Sequence, residues 1–413
     1  MTRVKGTTYR DCKLVIFGNK DADGRCNTYN GTEYKMIDFS LVQATRKNPF
    51  NYDVIYVPFK KAKIIKTMEQ QYKQLIEHAN ELKEVTDGKV NLYRTGSYKR
   101  SALQLFHDLC EPDEHDPIPE WEANIINMAT VGALMHSKQY EGVAYSYDKT
   151  SHYPSIMRSS HCHFPCNEGK LITLTITEFK EMKYYRYGFY HVIISGNIDS
   201  RLFRINPHDW YTHIDLNIAL KYGYTITLIE NISNCVSYKG KIINASKLFT
   251  PFVDYLFALK QKGYKSIKYI ITPLWGALIE ANKFDIRISE KNNETIAYDK
   301  HIEMMCPLGD DLDSDKLEVS VVRKSNQFVT NFARLKPFML AYGRVYITSC
   351  IVANLDNLVQ LHTDGFILSK PIKAFKSTDK VVIGNDIGQL KYKGKCDKCV
   401  ISNCNNVIGT FKL

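Results

Sequence analysis

The sequence predicts an α+β fold built from more than one domain. Three observations carry this. The 413 residues suffice for two or three domains and a sizeable core. Stretches rich in aromatic and β-branched residues alternate with amphipathic stretches of helical period. A run rich in proline and acid, "CEPDEHDPIPEWE", interrupts the chain near residue 118 and reads as a linker.

Composition narrows the class. Apolar content is 44% and charged content 24%, which is ordinary for a soluble globular chain. The net charge of +11 favours an anionic partner such as nucleic acid. No apolar run approaches about 18 residues, so no membrane span is expected. The N-terminus "MTRVKGTTYRDC" lacks the apolar core of a signal peptide, so the expected location is intracellular and not secreted. The 11 cysteines are then expected as free thiols.

In order, residues 1 to about 118 mix short strands with a helix in "IKTMEQQYKQLIEHANELKEV". "YRTGSYKRSALQLFH" interleaves Tyr93, Tyr98 and Phe106 with Arg94, Lys99 and Arg100. That pattern suits stacking on single-stranded nucleic acid. A loop and an amphipathic helix capped near Ser97 or Ser101 is the preferred reading. Residues 121–135 are expected as helix. "EGVAYSYDKTSHYPSIM" is a strand running into a helix start, and "YGFYHVIISGNI" and "YTITLIENI" are strands. In "TPFVDYLFALKQKG", Thr250 suits an N-cap, Pro251 the first helical position and Gly263 the place past the end. A second helix over about 266–280 completes a hairpin carrying Lys260, Lys262, Lys265 and Lys268.

Residues 285–330 alternate strands with the acidic loop "GDDLDSDK". Its Asp311, Asp313 and Asp315 have calcium-loop spacing without the required glycine and glutamate, so a solvated loop is expected. "KPFMLAYGRVYITSCIVANL" is a long helix from about Pro337. It leads into "LVQLHTDGFILSK", where Asp-Gly between alternating apolar runs signals a hairpin. The tail holds Cys396, Cys399 and Cys404, three thiols without a fourth zinc ligand at useful spacing.

Two carboxylates stand out. Asp148 follows a strand, and Asp364 sits at the hairpin tip. A carboxylate at a strand end can hold Mg²⁺, because the strand fixes it while its oxygens face an open crevice. Around Asp148 the chain resembles motif A of the family B DNA polymerases, D-x-x-S-L-Y-P-S-I. Asp148, Ser151, Tyr153, Pro154, Ser155 and Ile156 match, and His152 replaces leucine. "KYIITPLWGAL" resembles motif B, K-x-x-x-N-S-x-Y-G. Lys268 and Gly276 match, while Thr272, Pro273 and Trp275 replace asparagine, serine and tyrosine. "LHTDGF" resembles motif C, D-T-D-S. Thr363 and Asp364 match, and His362 and Gly365 replace aspartate and serine. The motifs occur in the family's order, and "DWYTHIDLNIALKYGYTITLIE" resembles the span between motifs A and B in viral, plasmid and protein-primed members.

The resemblance implies a right-hand polymerase with an antiparallel palm, two-helix fingers, a minimal or absent thumb and a reduced exonuclease-like N-terminal domain. The implied boundaries are 1–118 for that N-terminal domain, 119–245 for the palm with motif A and 246–282 for the fingers with motif B. The palm with motif C then covers 283–375, and a C-terminal palm or thumb stub 376–413. It implies two Mg²⁺ ions, replaceable by Mn²⁺, held by Asp148, Asp364 and the Lys149 carbonyl. Lys268 would neutralise the triphosphate as a catalytic cation, with Lys260 a second. Ser151, His152, Tyr153, Thr272 and Trp275 would complete the nucleotide site, Tyr153 excluding a 2′-hydroxyl. Expected partners are template–primer DNA, dNTPs and a processivity or terminal-protein partner, with no membrane, in the cytoplasm or nucleus of a host. Of three exonuclease carboxylate patterns only "NPFNYD" (Asn48 to Asp53) is found, so proofreading is not expected. "CNNVIG" lacks both residues of the family's primer-contacting element. The alternative is a catalytically decayed polymerase fold serving as a non-catalytic DNA-binding subunit.

Overall fold

The computed structural model describes residues 11–18, 25–38, 54–59, 66–230, 233–289, 300–307, 316–373 and 381–413. The chain divides into two compact units. The first comprises Met1–Glu111, Asp254–Ala277 and Ala281–Gln327, and the second Pro112–Val253, Leu278–Glu280 and Phe328–Leu413.

The second unit is organised by a six-stranded antiparallel sheet. Its strands are β1 (Met135–Ser137), β2 (Tyr140–Lys149), β3 (Leu358–His362), β4 (Gly365–Leu368), β5 (Leu390–Asn403) and β6 (Asn406–Ile408). Their spatial order is β6-β5-β2-β4-β3-β1. Helix α1 (His152–Met157) follows β2, and helix α2 (Leu335–Ile351) precedes β3. One face of the sheet buries Tyr147, Leu361, Phe366, Leu368 and Leu390 against Ile347, Cys350 and Ile351 of α2. Each such side chain contributes roughly 1.5–3 kcal/mol on burial. A smaller cluster, with Ala144, Val359, Ile367 and Cys399, lies on the other face. Successive strand residues point to opposite faces. Because Tyr147 enters the α2 core, Asp148 must emerge on the other side.

Helix α2 is apolar nearly all round because it is buried. The stretch Asn331–Asn357 is long and apolar enough to cross a membrane, with most of its apolar window buried inside the protein. This amends the expectation that no apolar run approaches that length. Two arginines anchor the region. Arg334 is fully buried and pairs with Glu122, with Nη2 at 2.6 Å and Nε at 2.9 Å from its two oxygens. The Tyr238 hydroxyl donates to the same carboxylate at 2.8 Å. Arg344 pairs with Asp215 at 2.7 Å and donates to the carbonyls of Val131 and Gly132 at 2.6 and 3.0 Å. Those carbonyls are therefore turned out of any helix. The helix expected over 121–135 ends at Met128, and β1 follows instead.

In the first unit, strands Tyr34–Asp38, Arg25–Tyr29, Lys13–Phe17 and Val54–Pro58 form one sheet in that order, the last pair parallel. Helix Met68–Val85 starts at a capping box formed by Thr67 and Gln70. Helices Leu92–Thr95 and Tyr98–Cys110 follow, one helix more than the sequence suggests. Tyr98 bonds His78 at 2.9 Å, Tyr93 donates to Asn80 at 2.6 Å and Phe106 is fully buried. The aromatics interleaved with cations are thus engaged in packing, as the preferred reading of that stretch has it. The segment after Asp254 joins these helices. The Tyr269 ring lies 4.5 Å from His78 and 5.3 Å from Tyr98, and the Ser266 N–H donates to Glu81 at 2.8 Å.

Two helical expectations are corrected there. The helix expected to start at Thr250 spans Ala245–Gln261, with Pro251 in its interior. The Asn244 side chain accepts from the Ser246 N–H at 2.9 Å and starts it earlier. Burial of Leu248, Phe249, Phe252, Val253 and Leu256 outweighs the cost of the proline. Gly263, at φ +96°, lies past its end as expected. The second helix is two short pieces, Lys268–Ile271 and Leu274–Leu278, divided at Thr272 and Pro273. Proline has no N–H to continue the ladder. Helix α2 also begins two residues before Pro337. The ten cysteines whose side chains are described are free thiols.

Candidate active site

The site is built from the end of β2 and the β3–β4 hairpin. Asp148 is the Cα partner of Gly365 on β4 and of Lys391 on β5, and Gly365 is the partner of His362 on β3. Directly paired residues share a face. One transverse row therefore carries His362, Gly365, Asp148 and Lys391. Asp364 occupies the turn, next to Thr363 at φ +61°, the left-handed conformation that tight hairpins require. The Lys149 N–H donates to the Asp364 carbonyl at 2.8 Å, which ties the two acidic positions across adjacent strands.

Gly365 leaves space for the carboxylate. A Cβ there would stand 3.3 Å from the Asp148 Oδ1, tighter than ordinary contact. Burial, and then the charge of Asp148, push the Asp364 carboxyl up to about 6. Two carboxylates held this way repel unless a proton or a cation intervenes. Among the described residues no group of three or more His, Cys, Asp or Glu side chains could hold a metal. The available donors are two carboxylates and backbone carbonyls at the strand end. An all-oxygen set of this kind fits a hard divalent cation such as Mg²⁺ or Mn²⁺.

The flanking residues have distinct roles. The Lys149 ammonium turns away from the pair, donating to the Gly388 carbonyl at 2.8 Å and lying 5.5 Å from the Tyr346 ring. Burial pushes its pKa down. Ser151, at φ +50°, turns the chain into α1. Burial pushes the His152 imidazole down to about 3, which keeps it neutral, and its Nδ1 has no partner among the described residues. Tyr153 is pushed up to about 12, first by burial, with the charge of Asp364 adding to it. Both side chains rest against α2 at Gly343. A Cβ there would lie 3.2 Å from the His152 Nε2 and 3.4 Å from Tyr153. On the row, His362 bonds the Asn405 side chain at 3.2 Å.

Asp148, Lys149, Ser151, His152, Tyr153 and Asp364 are thus brought together in the second unit. Lys260, Lys268, Thr272 and Trp275 belong to the first. There Lys268 and Thr272 are exposed, and Trp275 is half-buried. The Lys268 ammonium lies 4.9 Å from the Tyr269 ring, and that of Lys260 5.8 Å from Phe257. Cys396 and Cys399 pack in the apolar cluster beneath the sheet, and among the described residues no zinc ligand set forms. Asn48–Asp53, Asp311, Asp313 and Asp315 lie outside the described residues. Sequence reasoning missed Gly343, Lys391 and Asn405. Lys391 had a signal, since it opens the strand after the hairpin, but its partner is set by strand order.

The model of the organellar and viral type B DNA polymerases matches residues 59–274, just over half of the chain. The chain belongs to this family. A DNA polymerase of Kluyveromyces lactis is 24% identical over 267 residues. The alignment covers 54% of this chain and 25% of that protein, so the chain spans about a quarter of the length of this curated relative. Among solved structures, Phi29 DNA polymerase complexed with primer-template DNA superposes with TM-score 0.60 at 12% identity, covering 97% of this chain and 87% of that one. The complex of the same polymerase with single-stranded DNA gives 0.58 at 15%, covering 95% and 74%. These likenesses establish a polymerase fold. The family match includes Asp148 and Lys268 and ends before Asp364, whose place beside Asp148 follows from strand pairing alone.

Proposed function

We propose that this family B member is a template-directed DNA polymerase that joins dNTPs to a primer 3′-hydroxyl. The observation that carries the reading is the placing of the two carboxylates side by side, with Asp148 paired to Gly365 and the Asp364 carbonyl held by the Lys149 N–H. In this reading 119–245 and 283–375 are the palm, organised on the six-stranded sheet, 246–282 the fingers, and 376–413 a C-terminal palm or thumb segment. The N-terminal sheet and helices are a reduced exonuclease-like domain without proofreading.

Asp148, Asp364 and the Lys149 carbonyl would hold two Mg²⁺ ions. When bound, these supply activation of the 3′-hydroxyl and charge neutralisation on the departing pyrophosphate. The primer oxygen attacks the α-phosphorus, and the bond to the β-phosphate oxygen breaks. Lys268, assisted by Lys260, would neutralise the triphosphate, with Thr272 and Trp275 facing the base pair. Tyr153, braced against Gly343, would pack under the sugar and exclude a 2′-hydroxyl, while neutral His152 fills the space behind it. Lys391, beside Asp148, offers a cation for the primer backbone. The setting is replication of viral or mobile-element DNA inside a host cell, with dNTPs, template–primer and a processivity or terminal-protein partner.

Primer extension with purified chain, dNTPs and Mg²⁺ or Mn²⁺ tests this. Extension that disappears in Asp148→Asn and Asp364→Asn supports it, and no extension in either metal despite DNA binding overturns it. The second reading, a non-catalytic DNA-binding subunit, is motivated by His362 where the family has a carboxylate. It requires DNA affinity that falls with salt and is indifferent to Asp148→Asn.

A further inference from the structure

Against α2 and helix His213–Lys221 lies a cavity of about 400 Å³. It falls within the size range of small-molecule sites. Two helices build it. On helix His213–Lys221, the spacing of His213, Asn217 and Lys221 puts all three on one face. On α2, Tyr342, Val345 and Tyr346 face them at the same kind of spacing. His161 closes a third side.

The lining is two-sided in chemistry. One part is apolar and aromatic, from Ile214, Val345 and the two tyrosine rings. The other presents donors. Lys221 and Asn217 are exposed at the mouth. His213 accepts from the Gly188 N–H through Nδ1 at 3.5 Å, so its ring proton resides on Nε2. Burial pushes this histidine down to about 4, so it stays a neutral donor. The Tyr342 hydroxyl accepts from the His163 N–H at 3.3 Å and keeps its own proton to give. None of the ten lining residues is acidic. The cavity therefore suits an anion. It is too large for phosphate alone, and a single lysine with one exposed histidine matches a monophosphate better than a triphosphate.

We propose that this cavity binds a small ring compound carrying one phosphate, of the nucleoside monophosphate class, at a site separate from the carboxylate pair. The phosphate would meet Lys221, Asn217 and His161 at the mouth, and the ring would lie between Val345 and the tyrosines. Through Tyr346 the cavity also touches the end of β2 on the side that packs against α2. The Tyr346 hydroxyl bonds Ser159 at 3.0 Å and Cys162 at 3.3 Å, and its ring carries the Lys149 ammonium at the end of β2.

The test is calorimetric titration of AMP, adenosine and inorganic phosphate into full-length Asp148→Asn/Asp364→Asn protein in EDTA. That background removes metal-dependent nucleotide binding at the carboxylates and leaves the cavity intact. AMP is expected to bind with Kd of about 1 mM or tighter, with each fragment at least tenfold weaker. Lys221→Glu, an exposed change, should weaken AMP at least tenfold, and Val345→Trp should abolish binding by filling the space. Absence of AMP binding overturns the proposal. So does binding unchanged in both cavity variants, or phosphate binding as well as AMP. None of these outcomes bears on primer extension by the wild-type chain, so the two readings fail separately.

Discussion

Asp364→Asn is expected to stabilise the metal-free protein while removing the proposed polymerase activity. The folded chain raises this carboxyl from 3.8 to about 6 by burial and by the neighbouring charge of Asp148. A carboxyl whose pKa is raised by folding holds its proton more tightly in the folded state. Its contribution to stability is fully present below the unfolded value and is lost as pH rises through the folded one. A rise from 3.8 to about 6 corresponds to roughly 3 kcal/mol at pH 7.5. Asparagine keeps the shape and stays neutral, so it mimics the protonated form at every pH. Urea unfolding in EDTA should show the variant more stable by roughly 2–3 kcal/mol at pH 7.5, falling to about half that at pH 5. The same variant should fail in primer extension. Equal or lower stability at pH 7.5, or a gain that does not shrink on acidification, would refute the account of two mutually repelling carboxylates.

Other outcomes follow from particular contacts. Glu122→Ala leaves Arg334 buried without its counter-charge and should cost about 3–5 kcal/mol, read by chemical denaturation. Pro251→Ala restores a missing donor inside helix Ala245–Gln261 and should stabilise by about 1–3 kcal/mol, seen as a raised melting temperature. Gly343→Ala drives a methyl into buried His152 and Tyr153. It should destabilise by about 1–2 kcal/mol and raise KM for dNTP more than it lowers kcat. Tyr153→Ala should let ribonucleotides extend a primer, and an unchanged preference for dNTPs would remove Tyr153 from the proposed sugar site.

Much of this protein is written locally. Alternating apolar runs on either side of Asp-Gly signal a hairpin and assign its faces, although the left-handed residue proves to be Thr363, one place earlier than the Asp-Gly pair. Asp148 at a strand end, and the chain's turn into α1 before Pro154, are equally local facts, as is the order in which the motifs occur. The sequence therefore determined that Asp148 and Asp364 stand at ends of strands, and in which family to seek their purpose. It also misplaced what depends on distant partners. Thr250 and Pro251 have the local look of a helix start, yet burial of Leu248 and Phe249 carries the helix back to Ala245. Residues past Met128 look helical until Arg344, some 210 positions later, takes the Val131 and Gly132 carbonyls. Only the tertiary structure decided which strands are neighbours. The order β5-β2-β4-β3 sets Lys391, Gly365 and His362 in a row with Asp148. Strand order is fixed by burying both faces of the sheet, a property of the whole assembly that no single stretch of sequence contains.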